Sequence, residues 1–224
     1  MKKVRALCAI FIAGLMTATF AGAWGLPSAL TSGSSSSYGD PDDFLRRARS
    51  AETLTGRSAD LLFKAVASKE EQARVEEMQK KLNETTDDKE KNALRQQITE
   101  TEMATIEKQS KDKKLQEDAK KWDDRKKKQV GYAFYNLSLG SLQAALLVPE
   151  GMKMADAIRS NPANAVRLAL KITSVIDCVS SLKGLITNTA KVTTAIKPLM
   201  SAADIEAKSP ASAAEKPKEI EGGL

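Results

Sequence analysis

The chain has 224 residues, with 35 lysines and arginines against 29 acidic side chains, 4% aromatics and no histidine. The missing histidine excludes Ser-His-Asp and Cys-His nucleophiles, HExxH zinc sites and histidine-ligated haem. Scarce aromatics combined with abundant charge favour narrow helical packing over a broad core.

Residues 1–23 read as a bacterial secretory signal peptide. Lys2, Lys3 and Arg5 lead, an apolar run over 6–20 follows, and Ala21-Gly22-Ala23 supplies a small-x-small cleavage site. The run is shorter than the roughly 20 residues of a membrane anchor. Cys8 precedes the run rather than closing it, which does not suit lipidation. The expected location is periplasmic or secreted. Cleavage leaves 32 basic against 29 acidic side chains, thoroughly mixed, and that balance argues against a nucleic-acid partner. Only Cys178 survives processing, so an intramolecular disulfide is excluded; packing and a link between two chains are the roles left open to it.

Residues 24–40 are expected to be a flexible, serine-rich linker. Asp40-Pro41-Asp42-Asp43 then marks a helix start, with Asp40 as cap, Pro41 in the first turn and two acids at the positive end of the dipole. The same carboxylates lack the oxygen count and glycine turn of a calcium loop. One helix is expected over 41–84, with apolar positions at Phe44, Leu45, Leu54, Leu61, Leu62, Phe63, Val66, Val75, Met78 and Leu82. Asp87 and Glu90 open a second helix expected over 87–128, where 24 of 42 residues are charged. The short turn between them makes 41–128 an antiparallel hairpin, a solvent-exposed coiled-coil stalk with a thin seam.

Composition then switches, and the 21 residues of 129–149 carry no charge. A membrane span is opposed by Asn136, Gln143 and several serines, and by the basic flank at 125–128. In outline the segment resembles the apolar head of helical pore-forming toxins, which would make it an inducible lipid-inserting element. The favoured reading is bundle core, with Val130, Phe134, Leu137, Leu139, Leu142, Leu146 and Leu147 packing on the last helix. A short helix is expected over 152–159, after Pro149. Asn161-Pro162 opens the last one, where Leu168, Ile172, Val175, Val179, Leu182, Ile186, Thr189, Thr193, Ile196 and Met200 follow steps of four and three. The partner-binding face is assigned to Leu168, Ile172, Val175, Val179, Leu182, Ile186 and Ile196. Pro198 should end or kink this helix. Residues 129–200 thus make an apolar helical bundle, and 201–224 a disordered tail.

No phosphate-cradling glycine loop or CxxC pair exists. Ser180 and Lys183 spell SxxK without its SDN and KTG companions. Asp123 and Asp124 sit on an exposed basic helix, unsuited to glycosidase work. No catalytic, metal or cofactor site is assigned and no cofactor is expected. The expected fold is all-α, a long hairpin continuous with a small bundle and flanked by disordered ends. The expected function is a non-enzymatic scaffold, adaptor or assembly factor of the cell envelope, with envelope proteins and further copies of the chain as partners. A membrane-active protein inserting 129–149 is the alternative, although membrane contact is not favoured. A signal peptide followed by a long hairpin also resembles, in layout, the pilus-tip components of type IV secretion systems, which implies a pilus or secretion-system accessory role as a second alternative.

Overall fold

The computed structural model describes residues 39–160 and 169–220, and within them the protein is all-helical: α1 (Pro41–Val66), α2 (Lys69–Glu84), α3 (Asp88–Gln109), α4 (Lys113–Ala119), α5 (Asp124–Arg159) and α6 (Ala169–Ala202). The signal peptide, most of the linker, Asn161-Pro162 and Leu168 lie outside the described residues.

Asp40 caps α1 by accepting the Asp42 N–H at 3.0 Å, and Asp87 caps α3 by accepting the Glu90 N–H at 2.8 Å. The expected unbroken helix over 41–84 is interrupted at Ala67-Ser68. Ser68 Oγ accepts the Glu71 N–H at 3.2 Å while Glu71 accepts the Ser68 N–H at 2.9 Å, a capping box that restarts the chain as α2. The expected helix over 87–128 is broken twice. Asp112 accepts the Lys114 N–H at 2.7 Å, and Asp123 accepts the Lys126 N–H at 2.7 Å, each satisfying donors that a continuous helix would have paired internally. The 41–128 region is therefore four helices and the opening turn of a fifth. Helix α3 packs on α1 and α6 as well as on α2, so its apolar residues Ile98, Met103 and Ile106 join a core that includes Leu62, Phe63 and Ile196.

No helix boundary falls at Pro149, and the separate helix expected over 152–159 is the last part of α5. Proline removes one N–H and leaves the carbonyl four residues earlier without its partner. Ala145 and Pro149 both lie on the exposed side of α5, where water can take up the freed carbonyl. Pro198 is likewise exposed and internal to α6. The helix instead ends beyond Ala202 in a Schellman turn. Asp204 adopts φ 55°, its N–H reaches the Ser201 carbonyl, and the Ile205 N–H bonds the Met200 carbonyl at 2.8 Å.

The centre of the fold is α5, which packs extensively on α1 and α6. Several small residues of α1 are buried: Ala48, Ala51 and Ala59 are fully buried, and Thr55 and Ser58 turn their hydroxyls back onto the carbonyls of Ala51 and Leu54. Across from them, a Cβ on Gly140 would strike Thr55 Oγ1 and come within 3.1 Å of the Ala51 carbonyl. One on Gly151 would lie 2.6 Å from Phe44 Cζ. Gly140 lets the two backbones approach closely, whereas Gly151 makes room for the Phe44 ring and for Val179 of α6.

The tail expected to be disordered is laid along α5. Residues 203–220 form neither helix nor strand, yet Ile205 packs against Gly131, and Ala213, Glu215 and Lys218 are bonded to Gln143, Tyr135 and Asn136. The physical reason is that side chains of α5 supply hydrogen-bond partners that the strap's own backbone lacks.

Candidate interaction surface on helix α5

The assigned residues divide sharply. Of the uncharged segment, Val130, Phe134, Leu137, Leu139 and Leu147 are buried, whereas Leu142 is 39% and Leu146 65% exposed. On α6, Val175, Val179, Leu182 and Ile196 are buried in the chain's own core, so they do not form an open partner face. Ile172 and Ile186 are partly buried beside them. Their four-three spacing is satisfied internally. Cys178 is 3% exposed in the same cluster, as a packing residue would be.

Among the described residues, the large apolar side chains that remain open lie on α5. Leu142, Ala145, Leu146, Pro149 and Met152 are exposed, and steps of three and four place them on one side of the helix. Beside this stripe, Arg47 donates to Asp43 at 2.8 Å and to Glu150 at 3.0 Å, tying α1 to α5. Burial pushes the Asp43 carboxyl up, but hydrogen bonds and charge from Arg46 and Arg47 outweigh it and hold the group below its usual range. The acids at the start of α1 are thus a cap and ion-pair partners, Asp42 pairing with Lys171.

Toward the N-terminal half of α5 the strap takes over. Asn136, 4% exposed, donates its amide to the Lys218 carbonyl at 2.8 Å and accepts the Lys218 N–H at 2.7 Å. Gln143 Nε2 donates to the Ala213 carbonyl at 3.2 Å, and the Tyr135 hydroxyl donates to the Glu215 carboxylate. Burial first, then the bond to Glu215 and its charge, push Tyr135 up to about 12. The Glu215 carboxyl is held low by that bond and by the Ser212 and Ala211 N–H groups. Lys218 Nζ lies 5.1 Å from the centre of the Tyr135 ring. The end of the strap, with Pro217 and Ile220, borders a cleft of about 770 Å³ over Gln129 and Tyr132.

From the sequence, Tyr135 reads as a packing residue and Asn136 and Gln143 only as obstacles to a membrane span, so their docking role was missed. The available signal was their polarity inside an otherwise apolar helix, which counts against a membrane span and also marks a place where backbone from elsewhere must dock. Among the described residues, no helix is long and apolar enough to cross a membrane.

No protein-family model, curated protein or solved structure matches the chain.

Proposed function

We propose that this protein is an exported, non-enzymatic scaffold or adaptor of the bacterial cell envelope that acts through protein–protein contacts as an oligomer. The observation that carries this reading is the open stripe on α5, with Leu142, Leu146 and Met152 at 39, 65 and 47% exposure on a helix whose other sides are covered. Grouped exposed apolar side chains mark contact sites, where single ones need no explanation. A partner helix laid along such a stripe meets anchors at helical spacing, and the Asp43–Arg47–Glu150 ion pairs at its edge select register. In this reading α2 and α3 are the arms of a hairpin presented beside the bundle. The basic start and apolar run of residues 1–23 support export.

The test is in-cell photo-cross-linking from position 152. A single envelope protein, or a second copy of the chain, should be captured, and the capture should disappear when Leu142 and Leu146 are both aspartate. Capture unchanged by those substitutions, or none at all, contradicts the reading.

The same uncharged stripe favours one rival, a membrane-active protein. Dye release from anionic liposomes that is abolished by Leu146→Asp in a folded variant would replace the adaptor reading.

A further inference from the structure

We infer that the face of α5 around Tyr135, Asn136 and Gln143 is a binding site for an extended polypeptide segment that carries a carboxylate, occupied in cis by residues 213–218. This rests on the adaptor reading and names the partner chemistry of this part of the surface.

A single side-chain amide, that of Asn136, bonds both the N–H and the C=O of Lys218. Every non-proline residue in extended conformation presents those two groups, so the contact selects chain conformation and ignores sequence. Gln143 adds a second backbone contact at Ala213. The charged discrimination comes from Tyr135, whose hydroxyl donates to Glu215. Asn136 sits between the buried Phe134 and Leu137, and a buried amide there is costly unless some backbone arrives to pair it. Any extended segment with a suitably placed acid meets these requirements.

The strap is held as a ligand would be. It has no helix or strand of its own, and α6 hands it over through the Asp204 turn. Glu215 also accepts the Ser212 N–H at 3.0 Å, so one residue both shapes the strap and docks it. Tethering gives the strap an effective concentration on the order of millimolar, which a free segment must outcompete. Loosening the strap should therefore unmask the site.

The experiment uses the full chain and a fluorescent peptide of residues 209–220, followed by anisotropy. Glu215→Ala should bind the peptide about tenfold more tightly than wild type, a gain of about 1.4 kcal/mol. Adding Asn136→Ala should abolish that binding, and a peptide lacking its first glutamate should bind several-fold more weakly. Release of the strap in Glu215→Ala is checked separately by tryptic cleavage after Lys218, the bond after Lys216 being blocked by Pro217. Equal binding by all variants, or none by a Glu215→Ala chain whose strap is cleavable, overturns the inference. A doubled mass that the peptide cannot compete away also overturns it, by assigning the site to exchanged straps. None of these results alters the cross-linking outcome at position 152, so failure here is distinguishable from failure of the adaptor reading.

Discussion

Leu137→Asp is expected to leave no folded protein at room temperature, while Leu146→Asp, on the same helix and in the same uncharged stretch, should melt like wild type. Leu137 is fully buried, in a cluster with Val130, Phe134 and Ile196. Truncating such a leucine costs about 2–5 kcal/mol, and the carboxylate adds a desolvation penalty of several more. Together they rival the whole stability of a typical domain, about 5–15 kcal/mol. Leu146 is 65% exposed, and surface changes of that kind usually stay within about 0.5 kcal/mol. Circular-dichroism melts of the two variants separate the cases. Equal destabilisation would mean that α5 does not present the faces described.

Glu102→Gln should stabilise the protein strongly in alkaline solution and scarcely at all in acid. Glu102 is 5% exposed on α3, facing Asp60 and Lys64 of α1. Asp60 accepts from Lys64 at 2.8 Å through one oxygen, while its other oxygen is buried without a partner. Burial, then the Asp60 charge, raise the Glu102 carboxyl from 4.5 to about 8, with Lys64 opposing. The folded chain therefore holds this proton at pH values where the unfolded chain has released it. The group's contribution is most favourable below pH 4.5, declines as pH rises toward 8, and is flat above. At one pH unit per 1.36 kcal/mol, the charged side chain costs roughly 2–5 kcal/mol at alkaline pH. Glutamine keeps the shape and carries no charge, so urea titrations at pH 4.5 and 9 should show the variant gaining about 2–4 kcal/mol only at the higher pH. Parallel pH profiles for variant and wild type would contradict the buried placement.

The all-helical class was legible because its signals are local. Asp40-Pro41 and Asp87 announce helix starts, and the four-three spacing along α6 announces a buried stripe. The breaks at Ser68, Asp112 and Asp123 were harder to see. The Ser68…Glu71 capping box is written in the sequence, but serine and acids abound in this charged region and a cap there looks like ordinary surface. Pro149 and Pro198 suggested boundaries because proline's cost depends on whether the freed carbonyl reaches water, which only the packed structure decides.

The α1 seam was underread for a different reason. Ala51 and Thr55 carry little hydrophobic signal, and their role appears only when Gly140 is opposite. The α6 stripe had the right spacing, but its neighbours are the chain's own α1, α3, α4 and α5. Spacing says that a face is covered and not by what. The strap was invisible, since a stretch of Ala, Lys, Glu, Ser and Pro has the composition of a disordered tail and is ordered by amide groups on another helix.

All of this depends on the apolar side chains of α5 being covered by its own chain, strap included, everywhere but the stripe from Leu142 to Met152. The Lys218 amide reports that most directly, because its proton goes to Asn136 Oδ1 at 2.7 Å while the surrounding tail lacks regular structure. Residue-resolved hydrogen exchange by NMR should find this amide slowed relative to its random-coil rate, with the slowing lost in Asn136→Ala. Exchange at the random-coil rate in the wild-type chain would contradict the account.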